Sequence, residues 1–407
     1  MAVAASLLLS LVQGVLLFCL AYQYLLALAS IRQPPIPSAS TPYRTRFAVV
    51  IPAHNEAAVL PATLAQLQKQ DYPSKLFDVH VVADHCVDDT AEVVRNDGGV
   101  VHERDSLPRG RKAYAVQWLL ERILGGDPRY DAVVIFDADS LVDPEFLKNV
   151  AAHLCAGESV LQGQHIISNP EDSSLAAMAA VDMRLNNRLR NQSRRNLGLS
   201  CRLMGDAMVF DVGVLRAYGW LAESLTEDRE YGYELLLRGF RVRYVPEARS
   251  LGQAASSLSQ AQPQRLRWYQ GLVAMQRRLA APLLRGAFRS RSPVLFDGLL
   301  ELMMPSYSFL FITSAVNALL VMACSILLPS VRGLLGSAGS VVLFVAWAMY
   351  FWLGLLIDQA PIWAYRALLL GPFYLVWRLW IAVQVRLRGD RIAWIRTRRR
   401  EEINRAT

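Results

Sequence analysis

The first 31 residues, Met1 to Ile31, contain no Asp, Glu, Lys, Arg or His. As a helix at 1.5 Å per residue this run reaches about 46 Å, more than the ~30 Å hydrocarbon core of a bilayer. A segment of this kind is either buried in lipid or removed as a leader. A cleaved secretory leader fits poorly, because no basic residue precedes the apolar run and the run is too long. The segment therefore predicts a membrane anchor over 1–32. Arg32, Arg44 and Arg46 follow it, and the positive-inside rule places what comes next in the cytosol.

The same apolar character returns near the other end. Leu302–Val331 and Gly333–Ile357 are uncharged, separated by Arg332 beside a Gly/Ser-rich turn. They predict two transmembrane helices, 302–331 and 333–357, forming a hairpin that returns to the cytosol. The last apolar stretch, 362–385, is interrupted by Arg366 and Arg378. A central Arg costs roughly 2.5–3.5 kcal/mol on insertion, so this stretch is expected to be interfacial or re-entrant. Residues 386–407 then form a basic cytosolic tail.

Charge is scarce, at 19% of 407 residues against 53% hydrophobic, where a soluble domain carries about 25%. The net +8 is local. Seven Arg and no acid lie between Arg265 and Ser292, and eight Arg against three acids lie between Arg386 and Thr407. The remainder is slightly acidic, which argues against nucleic acid as a partner. Residues 263–292 read as an amphipathic helix on an anionic leaflet, with a solvated helix face as the plain structural alternative. The five scattered Cys have no C-x-x-C spacing, so neither a zinc site nor a disulfide framework is expected.

Residues 44–262 change character. Apolar runs of strand length at Phe47–Ile51, Val79–Ala83 and Ala132–Phe136 alternate with helical stretches near Glu56–Lys69, Ala113–Leu124 and Pro144–Leu154. This alternation predicts an α/β fold with a parallel sheet, in which ligands bind at the carboxyl ends of strands. Polar clusters fall at those ends. Pro52, His54, Asn55 and Glu56 follow the first run, Asp84 the second, and Asp137-Ala138-Asp139 the third. Two carboxylates one residue apart can hold a ribose hydroxyl and a hard divalent ion on a diphosphate, although most such triplets are turns. Thr226-Glu227-Asp228 leads into a helical stretch. Either acid there can complement the helix N-terminus, or serve as a general base if it faces a pocket. In Gln264-Arg265-Leu266-Arg267-Trp268, Arg267 offers a guanidinium for phosphate and Trp268 a flat face for a sugar ring. A snorkelling Arg beside an interfacial Trp is the alternative.

Taken in order, these elements resemble the membrane-embedded family 2 glycosyltransferases, the group of cellulose, chitin and hyaluronan synthases and ceramide glucosyltransferases. The resemblance runs over roughly 44–290 and the flanking membrane segments. It implies a GT-A (Rossmann-like) nucleotide-sugar domain between N-terminal and C-terminal transmembrane helices. Val49 to Glu56 looks like the nucleotide loop, bringing in Pro52 and Glu56, and Val82 to Thr90 like the uracil-binding strand end with Asp84 as its acid. Asp137 and Asp139 match the D-x-D, with Asp139 the main metal ligand and Asp137 beside it. Thr226-Glu227-Asp228 matches T-E-D, with Asp228 as catalytic base and Glu227 next to it. Gln264, Arg267 and Trp268 match Q-x-x-R-W, lining the donor diphosphate and acceptor sites. Lys112 resembles the family's G-K segment beside the donor nucleotide, although Arg111 stands in place of a glycine. Asp206, in Gly205-Asp206-Ala207, is a candidate for acceptor sugar hydroxyls. Leu251–Ser257 replaces the acidic E-x-P segment of many relatives, so the gating loop is expected to differ.

The function implied is inverting transfer of a hexose or N-acetylhexosamine from a UDP-sugar, with Mn²⁺ or Mg²⁺, to a growing poly- or oligosaccharide. A membrane lipid acceptor is the alternative, and a non-catalytic scaffold a remote one. The implied setting is multi-pass in the cytoplasmic membrane, with the catalytic domain in the cytosol. Sugar, linkage and protein partners are not legible.

Overall fold

The computed structural model describes residues 2–32, 44–108, 111–126, 129–220, 225–328, 330 and 333–388. Most of the basic tail lies outside the described residues. At the centre is one eight-stranded mixed sheet. In chain order the strands are β1 (Phe47–Ala53), β2 (Phe77–Asp84), β3 (Val100–Arg104), β4 (Ala132–Ile135), β5 (Leu141–Val142), β6 (Val160–Ile167), β7 (Met208–Asp211) and β8 (Arg243–Gly252). Their spatial order is β3-β2-β1-β4-β7-β6-β8-β5.

The expected parallel core is present. β1 runs parallel to β2, with Val49 opposite Val79, and to β4, with Val49 opposite Val134. A strand paired on both edges and covered on both faces must be apolar at every position, and Phe47 to Ile51 are all fully buried. Strand period divides them. Ala48 and Val50 join a core with Leu119, Tyr231 and Leu235, whereas Phe47, Val49 and Ile51 join one with Leu64, Phe146 and Val150. Each such side chain contributes roughly 1.5–3 kcal/mol when buried. The antiparallel strand β7, between β4 and β6, was not anticipated. It brings the loop Gly205–Ala207 next to the D-x-D turn.

Among the described residues three helices are long and apolar enough to cross a membrane, Ala2–Ala29, Tyr307–Leu327 and Gly336–Ile357. They pack on one another and on the domain's helical segment 174–197 in one apolar cluster that includes Leu16, Leu20, Met178, Leu185, Leu310, Leu343 and Trp347. Polar contacts set their register. Gln13 Nε2 donates to Ser340 Oγ (2.8 Å) and its Oε1 accepts from the Leu335 amide (2.9 Å). Buried amides of this kind hold apolar helices together where apolar burial discriminates little.

The expected boundaries need correction. The 302–331 segment is broken at Met304–Ser306. Pro305 lacks a backbone donor and disfavours helix at Met304, so residues 302–303 end a separate helix, Pro293–Met303. Tyr307–Leu327 then starts on the Ser306 cap. The second span begins at Gly336 rather than Gly333. The 362–385 segment is two helices, Ile362–Leu368 and Gly371–Arg388, with Pro372 in the first turn of the second. The basic amphipathic helix starts earlier, at Leu258, and runs to Arg289. Its stripe Met275, Leu279 and Leu283 is buried against the domain, and Leu266, on another face, packs on Ile381. Leu284, Arg285, Phe288 and Arg289, near its end, are exposed.

Candidate active site

The carboxyl ends of β1, β2 and β4 open on one side of the sheet. Asp84 is the last residue of β2 and is buried. Its Oδ1 accepts from the Arg104 guanidinium at the end of β3 and from His85 Nδ1 (2.9 Å). His54 Nδ1 donates to the Asp84 carbonyl (2.6 Å), tying the ends of β1 and β2 together. Asn55 and His85 both adopt left-handed backbone, at φ 57° and 50°, turning the chain sharply off each strand. Pro52 is half-buried in β1, and the Glu56 amide donates to Thr90 Oγ1 (2.9 Å). Arg104 was not anticipated, because β3 is an edge strand with no continuous apolar run.

The D-x-D turn follows β4. The Asp137 carboxylate pairs with Lys112 at the start of helix Lys112–Gly126, and Lys112 also donates to the Gly205 carbonyl (2.5 Å). Burial works against the Lys112 charge, but Asp137, then Glu227 and Asp206, outweigh it and raise its pKa. Asp139 is half-buried, and against the effect of burial its charge adds to those of Asp206 and Asp137 in raising the His165 pKa.

Asp206 departs from expectation. Its Oδ1 accepts from the Asp137 amide (3.0 Å) and Ser140 Oγ (2.7 Å), and its Oδ2 from His165 Nδ1 (2.9 Å) and Ser250 Oγ (2.6 Å). Four donors fill the capacity of one carboxylate, and Asp206 is only 2% exposed. It is therefore a brace beneath the D-x-D turn and not a group facing sugar hydroxyls. Burial alone would raise its pKa, but His165, then the two serine hydroxyls, hold it well below the usual range. His165, Ser140 and Ser250 come from three separate strands or turns, so no sequence pattern joins them.

Thr226-Glu227-Asp228 starts the helix Glu227–Leu237. Gly205, at φ 84°, passes so close that a Cβ there would lie 3.2 Å from Asp228 Oδ2. Burial, then the adjacent Asp228 charge, pushes the Glu227 carboxyl up to about 7, against the pull of Lys112 and Arg267. Burial also raises Asp228, partly offset by the Arg229 backbone amide and Lys112. The Q-x-x-R-W helix closes the other side. A Cβ on Gly271 would lie 2.3 Å from Thr226 Oγ1, so these two motifs meet at a glycine. Arg267 has its Nε buried with no hydrogen-bond partner among the described residues. Gln264 is half-buried one turn earlier. Trp268 is 41% exposed at the rim, its ring 5.0 Å from the Arg265 guanidinium. Lys112, Asp137, Glu227, Asp228 and Arg267 thus form one charged cluster, while Asp84 is held at the end of β2 by Arg104 and His85.

Among the described residues no three His, Cys, Asp or Glu side chains gather as a closed metal cage. Asp137 and Asp139 suit an ion that takes one or two protein carboxylates and completes its shell from phosphate and water, as Mg²⁺ does.

A sequence model described as "Glycosyltransferase like family 2" matches residues 44–271, more than half of the chain. The chain belongs to this family. The UDP-forming cellulose synthase catalytic subunit of Pseudomonas fluorescens is 25% identical over 271 residues, covering 62% of this chain and 32% of that protein. An N-acetylglucosaminyltransferase of Rhizobium meliloti is 28% identical over 258 residues, covering 58% of each. The chain therefore spans between a third and three-fifths of these relatives' length. Among solved structures, the mannosyltransferase PcManGT of Pyrobaculum calidifontis, in complex with GDP-Man and Mn²⁺, has a TM-score of 0.57 at 18% identity. The match covers 88% of this chain and 99% of that one, and it shows the GT-A-like fold. The family 2 glycosyltransferase domain lies between the candidate membrane helices.

Proposed function

We propose that this chain is an inverting membrane β-glycosyltransferase that moves a hexose or N-acetylhexosamine from a UDP-sugar to a poly- or oligosaccharide acceptor. The catalytic domain lies on the cytosolic face. The observation that carries this reading is the Glu227–Asp228 pair at the start of its helix, packed on Gly205, whose carbonyl takes Lys112, with burial raising both carboxyls. A carboxylate with increased proton affinity at a helix start beside Lys112 and Arg267 suits a general base. Asp228 takes the proton of an acceptor hydroxyl as its oxygen attacks the anomeric carbon. The bond from that carbon to the diphosphate oxygen breaks, and its electron pair leaves with UDP. One displacement inverts an α-linked donor to a β-linkage. Asp84 holds the base side, while Lys112 and Arg267 offset the leaving diphosphate. Asp139, with Asp137, would hold the divalent ion, which when bound neutralises diphosphate charge. Asp206 fixes the D-x-D turn.

UDP as leaving group and a saccharide acceptor are favoured by the cellulose synthase relative, and an N-acetylhexosamine as the sugar moved by the N-acetylglucosaminyltransferase. A membrane lipid is the second reading, favoured by only three candidate spans among the described residues, few for enclosing a polymer channel. UDP release measured over a panel of UDP-sugars tests the activity. Asp228→Asn should abolish transfer while UDP binding persists, and near wild-type turnover would refute the assignment. A ladder of oligomers supports the saccharide acceptor, whereas one sugar on an extracted lipid supports the other.

A further inference from the structure

In the sequence Arg378 only interrupts an apolar stretch. In the fold it faces the domain, because the helix Gly371–Arg388 lies along the start of the helix Leu258–Arg289. Gln262 Nε2 donates to Gln384 Oε1 (2.9 Å), Leu266 packs on Ile381, and Tyr269 and Trp377 flank that pair. Numbers rise along one helix as they fall along the other, so the two run antiparallel. At 100° per residue, Gln262, Leu266 and Tyr269 share one side of the longer helix. Gln264, Arg267 and Gly271 lie on the other side, where Gly271 meets Thr226. The last helix therefore backs the Q-x-x-R-W turns from behind.

One side chain links the two sides. Arg265 borders the packed side, and its guanidinium stands 5.0 Å from the Trp268 ring one turn later. Its Nη1 is 3.7 Å from Asp182 Oδ2, on the domain helix Ser174–Leu185, and Arg378 Nη1 reaches the same oxygen at 3.5 Å. Three helices thus meet at one carboxylate. The three side chains are 17%, 22% and 24% exposed, and partly buried charges are screened little by salt. Burial would raise the Asp182 carboxyl, but Arg378, then Arg265, hold it below its ordinary range, with Arg190 and Arg202 adding less. Trp268, 41% exposed at the rim, has little packing to fix its ring, so the adjacent guanidinium sets its orientation.

We propose that Asp182 is a positioning residue for the acceptor side: bridging Arg378 and Arg265, it holds Arg265 against the Trp268 ring at the rim of the active site. The consequence for turnover rests on the proposed glycosyl transfer, in which Trp268 offers its face to a sugar. The geometry of the relay does not.

The test uses the full chain in detergent with Asp182→Asn, Asp182→Glu, Arg265→Gln and the double variant Asp182→Asn with Arg265→Gln. Turnover is read as UDP release from the UDP-sugar that wild type uses fastest. Asp182→Asn keeps the shape and removes the charge, and should lower turnover about tenfold through the loosened ring. Mn²⁺-dependent UDP affinity should stay near wild type, because the Leu266–Ile381 packing still holds the Arg267 side. Asp182→Glu keeps the carboxylate and should recover most of the rate. Because Asp182 acts through Arg265, the double variant should be no slower than Arg265→Gln alone. A second readout needs no turnover. The chain has nine Trp, so the Trp268 signal is taken as the difference between each protein and its Trp268→Phe derivative. Acrylamide should quench that signal more strongly in Asp182→Asn and in Arg265→Gln than in wild type. The proposal is overturned if the Trp268 signal is unchanged, if UDP affinity falls as far as turnover, or if the two single losses multiply in the double variant. If wild type releases UDP from no donor, the glycosyl-transfer reading fails and the Trp268 signal alone decides the relay. Should Asp182→Asn fail to fold, Arg265→Gln carries the test, since it leaves Asp182 paired with Arg378.

Discussion

Replacing Gly271 by alanine should uncouple the two motifs that meet there. The new methyl would lie 2.3 Å from Thr226 Oγ1, 2.7 Å from its Cγ2 and 3.0 Å from its Cβ. The first contact is about 1 Å inside van der Waals distance. Neither partner yields easily, since Gly271 is in a long helix with a buried stripe and Thr226 is itself buried, directly before the T-E-D helix. Overpacking of this kind costs about 1–3 kcal/mol, or roughly 2–12 °C in melting temperature for a domain of this size. The displacement falls between Glu227–Asp228 on one side and Arg267 on the other. A shift of about 1 Å there can lower turnover by up to ~10². Thr226→Ala removes both of the closest atoms. The double variant should therefore recover stability, with a coupling of at least about 1 kcal/mol in the cycle. Thermal unfolding and UDP release on all four proteins measure it. The reasoning is refuted if Gly271→Ala melts with wild type, or if the double variant is no better than the sum of the singles.

Asp206→Ala should cost about 3–5 kcal/mol, because it strands His165 and two serine hydroxyls, and should weaken Mn²⁺-dependent UDP affinity through the displaced D-x-D turn. Unchanged melting with unchanged affinity would remove Asp206 as the brace. The buried His153 ring is pulled down to about 4, first by burial and then by Arg195. The unfolded state therefore binds the extra proton between about pH 6.5 and 4. The His153 contribution, of order 3 kcal/mol, is present above pH 6.5 and lost as pH falls toward 4. His153→Phe should flatten melting temperature against pH over that window, and an unchanged slope would count against it.

The sequence alone determined the elements whose signal is continuous along the chain. Uncharged runs located the three candidate spans, and apolar runs located β1, β2 and β4, because strands covered on both faces read as unbroken hydrophobic stretches. The short motifs carried Asp84, Asp137, Asp139, Glu227 and Asp228, since each sits where a strand ends or a helix begins. The edges and antiparallel strands were not legible. β3 is half-exposed and β5 has two residues, too little periodicity to separate from loop. Helix ends shifted wherever Pro305 and Pro372 removed a backbone donor. Only the tertiary structure decided which polar groups are already spent. Asp206 looks like Asp139 on paper. Its carboxylate is filled by donors from β6, β8 and the D-x-D turn itself, while Arg229, beside Glu227 and Asp228 in sequence, is turned toward Tyr233 and Glu301. Hydrogen-bond capacity is consumed by neighbours in space, and a linear sequence does not state who those neighbours are.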